Sequence, residues 1–236
     1  MRASRYLPPV AKREAQAQES PGLPRLPPGR HGLPRDFVAQ NQRDRLAAGI
    51  IAAVSEFGYH ETTITQIAAA AGVSRRTFYS YFNSKEECFF STFDQIADHL
   101  CEAAREAAAG QRDWPSQLAA KIGAGLEVFS ANPRLAGFTL AVPPRAGSDV
   151  TAHYRCALDR ALGELTEGAP AGTAAQTPSE AVQQSLMGGA ASLIVQRLES
   201  GEGERIGDLL PDLVELFLTP FVGRADAVRV ANAAAA

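Results

Sequence analysis

Leu46, Ile50, Val54 and Phe57 recur at steps of three and four residues, the spacing of one apolar stripe along a helix. The period sets in at Asp36 and stops at Gly58, which predicts a first helix between them. Phe89, Phe93, Ile96 and Leu100 carry the same period in a later helix that runs to about Ala109. Trp114-Pro115 suits the start of another, since proline is tolerated in a first turn, and Asn132-Pro133 breaks it after about Ser130. A shorter helical segment from Arg134 to Val142 should end at Pro143-Pro144, with further helices near 149–167, 180–200 and 206–222. Gly168 to Pro178 reads as a loop by composition. No run alternates with period two and no segment repeats, so the expected fold class is all-α.

The stretch TTITQIAAAAGVSRRTFYSYFNSKEE, Thr62 to Glu87, has a different character. Thr63 followed by Gln66 forms a capping box, so a short alanine-rich helix should start at Ile64 and end at Gly72. Ser74 can cap a second helix beginning at Arg75. The intervening turn, Gly72-Val73-Ser74, has the length that joins the two helices of a helix-turn-helix. Ile67, Val73, Phe78 and Phe82 are spaced to pack the pair together, and Ser84 with Glu87 repeats the capping box at the start of the next helix. Two helices this short need the flanking stripes for a core. The result is a three-helix module running into a long connecting helix.

The exposed side of the second helix then shows Arg75, Arg76, Thr77, Tyr79, Ser80 and Tyr81. Arginine there can pair bidentately with guanine in a major groove, and threonine can touch a thymine methyl or a phosphate. Tyr79 and Lys85 suit phosphate clamps, and Thr63 and Thr65 at a helix N-terminus offer donors to another phosphate. A solvated face on an ordinary helical hairpin is the plainer alternative.

A formal net charge of −3 does not suggest a nucleic-acid ligand, but its distribution does not forbid one. Residues 1–35 carry +5, residues 36–100 carry −3 and residues 101–236 carry −5, so acidity is heaviest where phosphate contact is least needed. The first 35 residues are proline-rich and lack apolar period, which reads as disorder, either an inert tail or a basic arm that reaches phosphate or a minor groove. Cys88, Cys101 and Cys156 are odd in number and far apart, which fits a reducing compartment. With no signal-peptide pattern and no apolar run long enough to span a bilayer, a cytoplasmic protein without a membrane partner is expected.

Motifs of catalysis are missing: there is no P-loop, no His-Glu-x-x-His, no Gly-x-Ser-x-Gly and no dinucleotide fingerprint. The expectation is a non-enzyme with no catalytic residues, no metal site and no cofactor. Near the C-terminus, Gly188, Gly189, Ala190, Ala191 and Ser192 are small enough to let helices approach closely. Ile206, Leu210, Leu213, Phe217 and Phe221 form one stripe, and Leu209, Leu216 and Leu218 extend apolar character around the helix. Such a helix buries more than one face, against its own domain and a symmetry mate or inside one larger core. Trp114, Phe129, Phe138, His153, Tyr154 and Met187 mix apolar walls with polar handles and are candidates to line a small-molecule pocket.

In the order Gly58, Thr62-Thr63-Ile64, Ile67-Ala68, Ala71-Gly72-Val73-Ser74, Thr77-Phe78-Tyr79, Tyr81-Phe82 and Ser84-Lys85-Glu86, the chain resembles the N-terminal domain of tetracycline-repressor-type (TetR family) regulators over about residues 38–100. The resemblance implies a homodimer, an all-helical fold and a second domain that binds a small effector. It implies phosphate contacts for Thr63, Tyr79 and Lys85, and base-edge positions for Arg75, Arg76, Thr77 and Tyr81. Arg76 departs from the family pattern, where glycine is common, so no operator sequence carries over. The resulting scheme is a basic arm (1–35), a helix-turn-helix domain (36–100), a ligand-binding and dimerisation domain (101–225) and a tail (226–236). The resemblance favours dimerisation through the helices near 180–200 and 206–222. The expected partners are double-stranded DNA, a second copy and an effector that releases a repressor from a palindromic operator. An effector-blind DNA-binding dimer and a regulator controlled by a protein partner are the alternatives.

Overall fold

A computed structural model describes residues 35–169 and 178–234. Residues 1–34 of the basic arm expected over 1–35, most of the loop read at Gly168 to Pro178, and the last two residues lie outside them. The described residues are helical throughout, with no strand among them. The chain divides into two compact units after Thr92.

The first unit holds α1 (Arg35–Phe57), α2 (Ile64–Ala71), α3 (Arg75–Tyr79) and the opening of α4 (Lys85–Ala108). Leu46, Ile50, Ile67, Phe78, Cys88 and Phe89 close its core at 0–1% exposure. Phe57, at the end of the α1 stripe, does not join them and stays 40% exposed, because the chain turns away at Gly58, whose φ is +77°. The crossing of α1 on α2 depends on Gly49. A Cβ there would lie 2.8 Å from Ala71 N, Ala71 Cβ and the Ile67 carbonyl oxygen, distances no side chain tolerates against backbone.

The second unit starts within α4, at Phe93, eight residues before the start expected at residue 101. It adds α5 (Trp114–Ala131), α6 (Pro133–Ala136), α7 (Ser148–Thr166), α8 (Glu180–Glu199), α9 (Leu210–Val222) and α10 (Arg224–Ala234). The α6 helix passes into a single π-turn, Gly137–Ala141, and then a 3₁₀ turn at Pro143–Arg145. Another 3₁₀ segment, Gly203–Leu209, precedes α9 and shortens the helix expected from 206. It docks on α5, where the Gly207 amide donates to Ser130 Oγ at 2.8 Å. Lys121 of α5 is 6% exposed and donates through Nζ to the Glu164 carbonyl, which places a cation at the negative end of α7.

One expectation is corrected here. The supposed tail is a helix: α10 packs along α9 and buries Ala227 at 0% and Ala231 at 3%. Its small residues allow close approach, and Ala227 and Ala231 repeat at the four-residue step of one face. With α5 on one side and α10 on another, α9 finds cover for its circumferential apolar character within its own chain. Conversely, the small residues of α8 do not mediate close packing inside the protomer. A Cβ on Gly188 or Gly189 would meet nothing within 4 Å, and α8 buries only Ala190 and Ile194.

Candidate nucleic-acid interface

Capping sets the geometry of α2 and α3. The Thr63 amide donates to Gln66 Oε1 at 2.8 Å while the Gln66 amide donates to Thr63 Oγ1 at 3.3 Å, the reciprocal box its sequence promised. Gly72 ends α2 in the left-handed region (φ 62°, ψ 36°), a conformation that costs other residues energy. Ser74 then accepts from the Thr77 amide at 3.0 Å and shares a 2.9 Å hydroxyl–hydroxyl bond with Thr77 Oγ1. At the start of α4, the Glu87 amide donates to Ser84 Oγ at 3.1 Å. The Glu87 carboxylate reaches back one residue further than a capping box requires, accepting from the Asn83 amide and Nδ2 at 2.7 and 2.9 Å.

Beyond the caps, two α1 residues that periodicity did not single out support this module. Arg45 is 8% exposed and donates through Nη2 to the Gly72 carbonyl at 2.6 Å, which ties the turn between α2 and α3 to the first helix. Arg43 places its guanidinium 5.5 Å from the centre of the Tyr81 ring. A basic residue one position from an apolar stripe reads as solvated in a sequence, so only the fold reveals Arg45 as a buried tie.

Arg75, Arg76, Tyr79 and Ser80 are exposed on α3 and its C-cap, and Thr63 and Thr65 are exposed at the head of α2. Tyr79 is 49% exposed, with its ring edge-on to the buried Phe78. Ser74, Thr77 and Ser80 spend their hydroxyls locally: Ser74 and Thr77 on the cap, and Ser80 Oγ on the Arg76 carbonyl at 3.0 Å. Tyr81 is half-buried beside Arg43. Lys85, expected as a phosphate clamp, also has partners within the protein. Its Nζ donates to the Tyr59 carbonyl at 2.8 Å and the His60 carbonyl at 3.3 Å, and lies 4.6 Å from the Tyr59 ring centre. An ammonium has three donors, so one direction remains for a further acceptor.

The six pocket candidates of the second unit are dispersed. A groove of about 310 Å³ is lined by the π-turn and 3₁₀ turn (Leu140, Ala141, Pro144, Arg145), by α7 (Tyr154, Leu158) and by α8 (Gly188, Ala191, Ser192, Val195). Of the six, Tyr154 lines it. Trp114 is buried against Phe221, its ring centre 5.0 Å away, while Phe129 and Phe138 are core residues. Met187 is half-buried on α8 and outside the lining. His153 faces the other way: its Nε2 lies 2.7 Å from Asp94 Oδ1, and its ring meets Phe93 edge-on. Two ion pairs, Arg160–Asp98 at 2.9 Å and Arg105–Glu164 at 3.0 Å, also join α7 to α4. The wall residues escaped notice because small and aliphatic side chains carry no chemical signature until a fold assembles them. Among the described residues no cluster of His, Cys, Asp and Glu could hold a metal, and no helix is long and apolar enough to cross a membrane.

Residues 48–92, which contain this module, match the model of the bacterial regulatory proteins of the tetR family. The transcriptional regulator BetI of Serratia proteamaculans is 36% identical over 73 residues, and BetI of Yersinia pestis is 35% identical over 74. Those matches span 31% of this chain and 37% of each relative. The fold reaches further. The fatty acid degradation regulator FadR of Bacillus halodurans superposes over 76% of this chain and 94% of its own, with a TM-score of 0.67 at 20% identity. FadR of Bacillus subtilis, solved with stearoyl-CoA, covers 76% of this chain and 97% of its own at TM-score 0.61 and 18% identity.

Proposed function

We propose that this chain, which belongs through its N-terminal unit to the tetR family of bacterial regulatory proteins, is a dimeric, sequence-specific DNA-binding transcriptional regulator. The observation that carries the reading is α3. It is a five-residue helix whose two arginines are exposed and whose caps, turn and buried Arg45 tie leave it little freedom. Arg75 and Arg76 read base edges, and Thr63, Thr65 and Tyr79 hold phosphates that set the register. Lys85 adds one charge to the same backbone while it anchors the turn at Tyr59.

A second copy supplies the other half-site. The broad uncovered face of α8 supports it as the helix on which the copies meet; α9, wrapped by α5 and α10, contributes less than its composition suggested. A small-molecule effector acts through the second unit. That FadR of Bacillus subtilis holds stearoyl-CoA supports the capacity of this fold to enclose a ligand. The α4 helix is one uninterrupted element with residues in both units, and its ion pairs with α7 give a ligand beside α7 a handle on it. Ligand binding shifts α4 and moves two recognition helices off the spacing of about 34–36 Å between successive major-groove faces. Release of a repressor is the sign the family resemblance favours.

The test is selection of bound fragments from the source genome by the purified full chain at one fixed salt concentration. A few fragments sharing an inverted repeat are expected. Uniform recovery of all fragments, or of none, would overturn the sequence-specific reading.

A further inference from the structure

The groove between the π-turn, α7 and α8 has a definite chemistry. Along α8 its wall is Gly188, Ala191, Ser192 and Val195, one strip at three- and four-residue steps that extends about 10 Å. Leu140, Ala141, Pro144 and Leu158 complete an apolar trough, and the half-buried and exposed positions along α8 leave it open to solvent on one side. An elongated apolar body fits such a trough better than a compact ring. Arg145 is the one charged residue of the lining, and it stands at the rim, paired with Glu199 at 3.2 Å with both side chains more than half exposed. Tyr154 and Ser192 add hydroxyls, neither with a hydrogen-bond partner among the described residues. No lining residue is acidic, so nothing in the trough would balance a cationic ligand.

We propose that this groove binds an amphipathic carboxylate, an unbranched alkyl chain lying along Leu140, Leu158 and Val195 with its carboxylate drawn out to Arg145. The π-turn belongs to the site. It places Leu140 and Ala141 on the wall, and such π-turns are frequent at functional sites. The ligand's carboxylate replaces the Glu199 carboxylate on Arg145, so binding exchanges one ion pair for another and leaves no charge buried alone. The proposal rests on the regulator reading only for its consequence, release of DNA. The binding site itself stands on the groove.

Calorimetric titration of the full chain with sodium hexanoate, sodium octanoate and octylamine tests it. Octanoate should bind about tenfold tighter than hexanoate, the effect of two buried methylenes, and octylamine should bind much more weakly. Arg145→Gln should weaken octanoate about fivefold, as expected for a rim charge. Glu199→Gln should tighten it, because the competing carboxylate is gone. If the pair were merely structural, both substitutions would move binding in the same direction. Ala191→Phe should fill the trough and abolish binding while the helical circular dichroism stays at the parent level. Equal affinity for octylamine, an unchanged Ala191→Phe variant, or a common direction for Arg145→Gln and Glu199→Gln would overturn the proposal. Adding octanoate to the chain on its selected DNA fragment separates the two readings. Binding with this pattern but no release retains the site and removes the effector role, whereas release without the pattern retains the regulator and removes this site.

Discussion

The two units solve the same problem, holding helices in place, by different means. In the first, α2 and α3 have eight and five residues, too short to persist alone, and local devices fix them: a reciprocal cap, a left-handed glycine, a serine cap and a buried arginine on the turn. In the second, α5, α7 and α8 have 18 to 20 residues and rely on apolar layers, yet α7 and α8 each bury only two residues, Val150 and Tyr154 on one and Ala190 and Ile194 on the other. The first unit is finished as a single chain. The second carries open surface along α8 and the groove beside it, which is where the proposed dimer mate and effector would sit.

That contrast is sharpest at glycines inside helices. Gly49 of α1 sits against the backbone of α2, so Gly49→Val should open the crossing and destabilise the first unit by about 3 kcal/mol, the upper range for overpacking. Urea unfolding followed by Tyr and Trp signals should then split, with Trp114 of the second unit reporting a later transition than the first. A single transition at the parent midpoint would mean that the close crossing is not what holds α2.

Next in size is the arginine tie. Arg45→Met keeps an apolar stem but removes the donor to the Gly72 carbonyl, leaving a turn acceptor without its charged partner. A loss of about 2 kcal/mol is expected, with weaker binding to every DNA sequence alike. Selective loss for one sequence would instead make Arg45 a reader of bases.

These devices explain what could be read from the chain. Caps and turns are local, so Thr63–Gln66, Gly72 and Ser74 announced both ends of α2 and the start of α3 within a residue of those observed. The buried role of Arg45 depends on a residue 27 positions away and was invisible. In the second unit the aromatic residues chosen as pocket walls turned out to be mostly core, since size and apolarity mark burial more strongly than ligand contact. The residues from 226 onward carry few large apolar side chains, so the chain reads as a tail there. Helix α10 forms because α9 presents an apolar face that alanines can approach closely.

Two cations of the first unit separate positioning from reading. Arg76→Ala should flatten preference at one base position by about 1–3 kcal/mol while sparing random DNA. Lys85→Met should lower stability by about 1 kcal/mol through the lost bonds to the Tyr59 and His60 carbonyls. Affinity measured against salt concentration decides what else Lys85 does. A slope smaller by about one marks a phosphate contact, and an unchanged slope marks a purely anchoring role.

The smallest effect probes the open helix. Gly189 of α8, outside the groove lining, has nothing within 4 Å of its would-be Cβ, so in an isolated protomer Gly189→Ala should only gain helix propensity, about 0.5–1 kcal/mol of added stability. A second copy seated on α8 reverses the sign, because the added methyl then meets the partner's backbone and loosens the dimer. Thermal unfolding at low and high protein concentration reads both terms. A gain at low concentration that turns into a loss at high concentration assigns the face to a dimer mate. A gain at every concentration leaves α8 outside the dimer contact and moves the search for it to other surfaces of the second unit.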